Sequence, residues 1–201
     1  MQIDAVIFDI GNVLLTFDYT IAEQEILKQT GKGAPPSQEE LHPLRMEHES
    51  GTISRADFVK AVRYAFEHDG EEEHFLDIWS RIFEENIPMI EWARSLHGKT
   101  PLYLLSNIGC IHHDHIFEEY AFFTELFCDG VYSYKAGVMK PERRIFEIAS
   151  TQFGVDPRRT LYIDDLTENV RAAEEAGFIV HHYSPTSHDL FLKLTSKLRF
   201  S

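Results

Sequence analysis

The stretch that decides the fold is residues 5–14, AVIFDIGNVL, in which an apolar run of four residues ends at Asp9. Two further apolar runs end in polar residues: 102–105 (LYLL) before Ser106 and Asn107, and 161–163 (LYI) before Asp164 and Asp165. Apolar runs of this length, bounded by turn residues, are typical of strands in a parallel sheet that is covered on both faces. The sequence therefore predicts an α/β fold.

The polar residues at the ends of these strands are the candidate site. In open α/β sheets, ligands bind outside the carboxyl ends of the strands, so these side chains are expected to converge in one crevice. Lys140 adds a cation, because Pro141 suits the first turn of a helix and so places Lys140 at a helix start. Together, a carboxylate, a hydroxyl–amide pair, a lysine and a carboxylate pair form a set of groups suited to catalysis.

The chain between residues 16 and 95 has helical patterns and no further strand pattern. Three sequences there resemble capping boxes, in which side chains bond to the free amides of a helix start, and they begin at Thr20, Ser37 and Ser54. The predicted strands are 3–8, 102–105, 130–134, 160–163 and 178–182, and the later predicted helices include one from Pro141, 168–176 and 187–198. The pattern predicts a βα core that a helical insertion interrupts after its first strand.

Composition limits the classes of partner. The chain has 201 residues, 43% hydrophobic and 26% charged, as in an ordinary globular protein that can bury a core. Its formal net charge of -14 argues against broad binding to nucleic acid or acidic membranes, which requires a basic surface. Cys110 and Cys128 form no C-x-x-C pair, no leader is evident, and no apolar run approaches the roughly 20 residues that span a bilayer. We expect a cytoplasmic protein, either a monomer or a homodimer.

The four polar clusters, in this order, resemble the motifs of the haloacid dehalogenase superfamily of hydrolases, and the resemblance covers nearly the whole chain. The sugar-phosphate (glucose-1-phosphate) phosphatase-like branch is the most similar, because it shares the Asp-x-Gly-Asn pattern of residues 9–12 and a cap element like 51–54 (GTIS). The resemblance implies a Rossmann-like parallel sheet with a helical cap inserted after the first strand. It assigns residues 1–15 and 96–201 to the catalytic core and 16–95 to the cap.

The resemblance also implies a role for each polar residue and Mg²⁺ as the cofactor. Asp9 would be the nucleophile, which forms an aspartyl-phosphate, and Lys140 would neutralise the charge of both Asp9 and the phosphoryl group. The implied phosphate-binding residues are Ser106, Asn107, Lys140 and Asn12; the implied metal ligands are Asp9, the Gly11 carbonyl, Asp165 and Asp164; and Asn169 would orient this cluster. The histidines at 112, 113 and 115 lack a helical ligand spacing and are predicted to be structural or solvent-facing.

Gly11 is the one departure from the usual motif. Most phosphatases of this family carry a second Asp two residues after the nucleophile, which acts as general acid and base. Such a group contributes typically about 10²–10⁴-fold to the rate. The carbonyl of Gly11 can still bind a metal ion, but Gly11 cannot move a proton. The sequence leaves open whether Asn12, a metal-bound water or the substrate replaces the missing carboxyl.

Three functions are compatible with these residues. The first is a Mg²⁺-dependent phosphatase for a small phosphorylated metabolite, such as a sugar phosphate, that the cap selects. The second is a metal-independent 2-haloacid dehalogenase, which shares the fold and needs no second Asp. Against it, the pair of carboxylates at residues 164 and 165 favours a cation and would repel a carboxylate substrate. The third is a pseudo-phosphatase that binds a phosphometabolite or a partner without turnover.

Overall fold

A five-stranded parallel sheet forms the centre of the molecule. The structure is a computed structural model that describes residues 2–31 and 33–200. Its strands are β1 (Gln2–Ile3), β2 (Ala5–Phe8), β3 (Leu15–Phe17), β4 (Phe83–Glu85), β5 (Leu102–Ser106), β6 (Asp129–Tyr132), β7 (Thr160–Asp164), β8 (Ile179–His182) and β9 (Arg199–Phe200). The order in the central sheet is β6-β5-β2-β7-β8, with β2 in the middle. The predicted α/β fold with a Rossmann-like parallel sheet is confirmed.

Helices cover both faces of this sheet and form a separate layer above it. They are α1 (Tyr19–Thr30), α2 (Gln38–Glu49), α3 (Arg55–Ala65), α4 (Glu72–Ser80), α5 (Ile87–Leu96), α6 (Cys110–Glu119), α7 (Phe122–Leu126), α8 (Ser133–Ala136), α9 (Arg143–Phe153), α10 (Thr167–Glu175) and α11 (His188–Thr195). Among the described residues, no helix is both long enough and apolar enough to cross a bilayer.

The side chains of β2 point alternately to the two faces of the sheet, which explains why helices cover both faces. Val6 and Phe8 pack into a cluster with α5, α6, α7 and α11, whereas Ile7 packs into a second cluster with α9 and α10. All four residues of β2 are buried. Val6 is in register with Leu102 of β5 and with Leu161 of β7, so the ends of the three strands lie at the same edge.

The first predicted strand is divided in two. Residues 3–8 were expected to be continuous, but β1 pairs with β9 in a small sheet of its own, and only β2 joins the central sheet. The break comes at Asp4, whose carboxylate forms an ion pair with Arg159 at 2.7 Å. A charged, solvent-exposed contact of this kind leaves no mark in the apolar pattern.

The expectation of no strands between residues 16 and 95 was also wrong. β3 and β4 form an antiparallel pair in which Leu15 lies opposite Glu85 and Phe17 opposite Phe83. Only Leu15 among these residues is fully buried. A three-residue strand with so little buried surface gives no alternating signal.

Two of the three predicted helix starts are correct. Ser37 and Glu40 form the predicted capping box, and the Ser54 hydroxyl accepts from the Asp57 amide at 3.1 Å. The prediction at Thr20 was wrong, because Asp18 caps α1 and its carboxylate accepts from the Thr20 amide at 2.9 Å. A carboxylate two residues earlier therefore replaces the predicted hydroxyl cap.

The predicted helix at Pro141 begins later than expected. α9 starts at Arg143, and Pro141 lies in the turn before it. The Asn107 side chain bonds to both the amide and the carbonyl of Lys140, and these contacts hold Lys140 outside the helix. Two other helices differ only at their ends: α10 begins one residue before the predicted 168–176, and α11 is shorter than the predicted 187–198.

The helical layer has its own core around Trp79, which is completely buried. This cluster draws on α1, α2, α3 and α4. By contrast, the buried residues of α5, among them Met89 and Ala93, belong to the cluster beneath the central sheet. We therefore propose that the cap ends near β4 and that α5, within the predicted 16–95 segment, is part of the core.

Candidate active site

Asp9 follows β2 at the middle of the sheet and is buried. Its amide donates to the carbonyl of Ile163 at 2.9 Å, which continues the β2–β7 ladder by one residue. One carboxylate oxygen, Oδ1, accepts from the Ile10 amide at 2.7 Å and lies 2.9 Å from the Lys140 ammonium. In the described part of the chain, no hydrogen bond to Oδ2 is formed. Asp9 is thus held through one oxygen and has the other available for chemistry.

Lys140 is buried, and its ammonium group has three acceptors. Nζ lies 2.9 Å from Asp9, 2.7 Å from Asp164 and 3.0 Å from the carbonyl oxygen of Leu105. Burial alone would lower the pKa of Lys140, but the carboxylates of Asp164 and Asp9 outweigh it and raise the pKa. Lys140 therefore stays charged and holds a fixed position beside Asp9.

Asp164 anchors this lysine. It is fully buried, and Oδ2 accepts from Lys140 and from the Tyr162 hydroxyl. Oδ1 accepts from the Leu166 amide at 2.9 Å and from Asn169 Nδ2 at 3.0 Å. Burial would raise the pKa of Asp164, but Lys140 lowers it below its ordinary value. Because four donor groups already bond to its two oxygens, Asp164 is better suited to hold Lys140 than to bind a metal ion directly.

Asp165 faces the crevice from the same turn. It is half-buried, and its Oδ2 accepts from Asn12 Nδ2 at 3.0 Å. Asn12 has a φ of +53°, and its backbone amide donates to the Leu15 carbonyl at 2.7 Å. The loop after β2 thereby turns the Asn12 side chain towards Asp165. Asn12 was predicted to bind phosphate, but its side-chain amide is bonded to the Asp165 carboxylate.

Ser106 and Asn107, at the end of β5, complete the crevice. Ser106 is buried and lines it. Asn107 instead uses its side chain on the backbone of Lys140, donating to the carbonyl at 2.9 Å and accepting from the amide at 2.8 Å. The side chain predicted to bind phosphate thus positions the lysine.

The crevice has a volume of ≈ 410 Å³ and brings most of the predicted residues together. The predicted residues that line it are Asp9, Gly11, Asn12, Ser106, Asn107, Lys140, Asp165 and Asn169. Asp164 lies just behind them, and one carboxylate oxygen from each of Asp9, Asp164 and Asp165 lies within 4.8 Å of the others.

Comparison with known proteins agrees with this arrangement. The family described as haloacid dehalogenase-like hydrolase matches residues 3–177. The chain belongs to the haloacid dehalogenase-like hydrolases. A curated relative, the D-ribitol-5-phosphate phosphatase of Bacteroides thetaiotaomicron, is 26% identical over 190 residues, which are 88% of this chain and 90% of that protein.

Solved structures show the same fold. A haloacid dehalogenase-family enzyme of Bacteroides thetaiotaomicron superposes with a TM-score of 0.83 at 22% identity, covering 94% of this chain and 99% of the other. A structure described as the wild-type form of such an enzyme in complex with magnesium and inorganic phosphate superposes with a TM-score of 0.79 at 24% identity. That match covers 90% of this chain and 93% of the other.

The donor set of this haloacid dehalogenase-like site fits Mg²⁺. Mg²⁺ prefers oxygen ligands and is usually bound through one or two carboxylates together with substrate phosphate. Here the oxygens of three carboxylates lie within 4.8 Å of one another, and the Lys140 ammonium pairs with two of them, Asp9 and Asp164. Burial raises the pKa of Asp9 to about 7; Lys140 opposes this rise, and the charges of Asp164 and Asp165 add to it. A divalent cation between Asp9 and Asp165 would balance this excess negative charge.

The histidines after the second motif are not arranged as metal ligands. His112 is buried, and its Nε2 lies 3.1 Å from the Trp79 carbonyl. Burial lowers the pKa of His112 to about 4, so it is neutral. His113 is half-buried, and its Nδ1 lies 3.2 Å from the exposed Asp114. His112 therefore belongs to the packing between the cap and the core.

Two residues of the site were not found from the sequence. Tyr162 is buried within β7, where its hydroxyl donates to Asp164, and in the sequence it is one apolar strand residue among others. Glu49 is the last residue of α2, and it lines the crevice from the cap side together with His42 and Met46. No local pattern marks Glu49, because its place in the site depends on how the cap docks.

Proposed function

We propose that this protein is a Mg²⁺-dependent phosphatase that acts on a small phosphorylated metabolite through an aspartyl-phosphate on Asp9. The observation that carries the proposal is the buried Asp9–Lys140–Asp164 arrangement, with the Asp165 carboxylate facing the same crevice. The similarity to a curated phosphatase and the family match support it.

The residues of the crevice have distinct tasks in this reaction. The free oxygen of Asp9 attacks phosphorus, which splits hydrolysis into two easier steps. Lys140 neutralises the charge that develops on the phosphoryl oxygens, and Ser106 donates a hydrogen bond to them. Asp9, the Gly11 carbonyl and Asp165 would hold Mg²⁺, which, when bound, supplies further charge neutralisation.

The roles of four residues follow from their contacts. Asp164 and Asn107 hold the Lys140 side chain and backbone, respectively, so both act by positioning that lysine. Asn169 donates to both oxygens of Asp164 and so supports the same lysine indirectly. Asn12 donates to Asp165 and so orients that carboxylate; we propose this role for Asn12 in place of a phosphate contact.

The substrate class is the finer part of the proposal. The crevice volume of ≈ 410 Å³ suits a small ligand, and His42, Met46 and Glu49 of the cap form its outer wall. We propose a phosphorylated sugar or sugar alcohol, because the curated relative is a D-ribitol-5-phosphate phosphatase. The proposal also keeps a cytoplasmic location and a monomeric or homodimeric state.

The geometry favours this function over a 2-haloacid dehalogenase. The carboxylate of a haloacid would enter a site with the three carboxylates of Asp9, Asp164 and Asp165, whose oxygens lie within 4.8 Å of one another. Lys140, the nearby cation, is already bonded to two of them. A phosphate ester brought in with Mg²⁺ meets no such excess of negative charge.

The test is phosphate release from a panel of phosphorylated sugars and sugar alcohols, D-ribitol 5-phosphate included, with Mg²⁺ and with EDTA. We expect release that needs the metal and that is abolished in Asp9→Asn. Asp189→Asn, a change of the same kind at an exposed position of α11, is the matched control and should be as active as the native protein. Phosphate binding without release would instead support a pseudo-phosphatase, and chloride release from 2-chloropropionate would support the dehalogenase.

A further inference from the structure

Apart from the nucleophile Asp9, the loop after β2 offers no carboxyl group that could move a proton at the ester oxygen. Gly11 has no side chain, and the ring of Phe17 lies beside it, with Cε1 3.0 Å from where a Cβ would stand. Asn12, the next residue, is bonded to Asp165. A side chain that acts as the general acid at this site must therefore come from another element.

Glu49 is a carboxyl group in the right place. It ends α2 of the cap and lines the crevice opposite Asp9 and Lys140. It also lines an adjoining pocket of ≈ 70 Å³, which shares Gly11 and Ser106 with the crevice. Glu49 thus stands where the space above the nucleophile opens towards the cap, which is where the leaving group of a bound ester would lie.

The surroundings of Glu49 favour a group that can both give and take a proton near neutral pH. Burial raises its pKa to about 7; Arg45, one turn earlier on α2, lowers it, Asp9 raises it and Lys140 lowers it. Tyr19 of α1 also faces this charge, and burial keeps its own pKa well above the ordinary value. An acid–base catalyst is most effective when its pKa lies near the working pH.

The backbone of Glu49 is tied to the catalytic core. Its carbonyl accepts from the hydroxyl of Ser133 at 2.5 Å, and that hydroxyl accepts from the Ile108 amide at 2.9 Å. Ser133 is fully buried. Gly51, two residues after Glu49, has a φ of +74°. It packs so closely against α8 that a Cβ at this position would lie 2.4 Å from the Tyr134 carbonyl oxygen. These contacts fix the end of α2 against α8 and, through the Ser133 hydroxyl, against the loop that follows Ser106.

We propose that Glu49 is the general acid and base of the reaction, in place of the carboxyl group that is absent at Gly11. The proposal rests on the phosphatase function proposed above. As Asp9 attacks phosphorus, the bond from phosphorus to the ester oxygen breaks, and protonated Glu49 gives its proton to that oxygen. In the second step, a water oxygen bonds to phosphorus and the Glu49 carboxylate takes a proton from that water. The bond from phosphorus to Asp9 breaks, and inorganic phosphate leaves.

The test compares two esters in Glu49→Gln. With D-ribitol 5-phosphate, whose alkoxide needs a proton to leave, we expect the rate to fall by about 10²–10⁴-fold. With p-nitrophenyl phosphate, whose leaving group needs no proton, the first turnover should remain while hydrolysis of the aspartyl-phosphate slows. The variant should therefore release a burst of about one equivalent of nitrophenol per protein, as accumulation of a covalent intermediate requires, and carry a hydroxylamine-sensitive phosphate. The native protein should show neither.

Controls separate this proposal from a structural role. Glu47→Gln, an exposed position on the same helix, should behave as the native protein. Glu49→Gln should unfold at a temperature no lower than that of the native protein at pH 8, because it removes a half-buried carboxyl group whose pKa the fold raises. Equal rates in Glu49→Gln and native protein, or a Glu49→Gln variant that shows no nitrophenol burst and unfolds at a lower temperature, would overturn the proposal. If the native protein released phosphate from no ester, the phosphatase function itself would fail, and the role of Glu49 with it.

Discussion

Replacing Asp164 with Asn tests whether this buried carboxylate holds the site together. In Asp164→Asn, one oxygen can still accept from the Leu166 amide and Asn169. The amide nitrogen, however, would face the Lys140 ammonium and the Tyr162 hydroxyl, which are both donors in the native protein. Lys140 would then remain buried with Asp9 as its single charged partner.

The expected loss of stability is large. Removing one partner of a buried ion pair costs about 3–5 kcal/mol, because the remaining charge is left without compensation. For a chain of this size, each kcal/mol lowers the unfolding temperature by about 2–4 °C, so the expected decrease is about 6–20 °C. Asp4→Asn is the matched control, since Asp4 pairs with Arg159 at the surface. It should cost no more than about 1 kcal/mol.

The pH dependence gives a second criterion. Lys140 lowers the pKa of Asp164 in the folded protein, so this carboxylate stabilises the fold above its unfolded pKa of about 3.9. That stabilisation is lost as the pH falls through the folded pKa. In urea titrations with EDTA present, the difference in free energy of unfolding between native protein and Asp164→Asn should have its full value at pH 7 and should become smaller below about pH 4. A difference below about 1 kcal/mol at pH 7, or one that does not change with pH, would refute the reasoning.

Two further predictions concern the loop after β2. Gly11→Asp should lower the free energy of unfolding by about 1–3 kcal/mol, because the new side chain is crowded against the Phe17 ring. Phe17→Leu in the same chain should restore part of that stability. If the effects of the two substitutions on urea unfolding are additive, the predicted contact is contradicted. Mg²⁺ affinity, measured by calorimetry, should rise as the pH is raised through about 7, because the ion competes with the proton on Asp9. Affinity that stays constant between pH 6 and 8 would show that Asp9 is not a ligand.

The central sheet and the residues at its strand ends could be predicted because each one leaves a local mark. A buried parallel strand needs an unbroken apolar run, and the polar residue that follows it lies at the ligand-binding edge. Asp9, Lys140 and Asp165 were therefore placed in one crevice from the chain alone, and the structure brings them together there. The family match agrees, since it spans residues 3–177.

The division of labour among these residues could not be predicted in the same way. Asp164 and Asp165 are adjacent and chemically identical. Asp164, however, is fully buried and accepts from four donor groups, whereas Asp165 is half-buried and faces the crevice. Asn107 precedes Lys140 by 33 residues, and only the folded chain shows that its amide holds the lysine backbone. Such roles depend on contacts across the sheet, which no local pattern encodes.

The position of Glu49 changes what the missing carboxyl at Gly11 means. Phe17 of β3 occupies the space beside Gly11, so the loop is packed as it stands and is not a vacated acid–base position. If Glu49 moves the proton, as we propose, the nucleophile comes from the core and the acid from the cap. Hydrolysis would then require the cap to be docked through Ser133, whereas binding of Mg²⁺ at Asp9 and Asp165 would not. Loosening that contact, for instance in Ser133→Ala, should therefore slow turnover more than it weakens Mg²⁺ binding, and an equal loss in both would place the acid elsewhere.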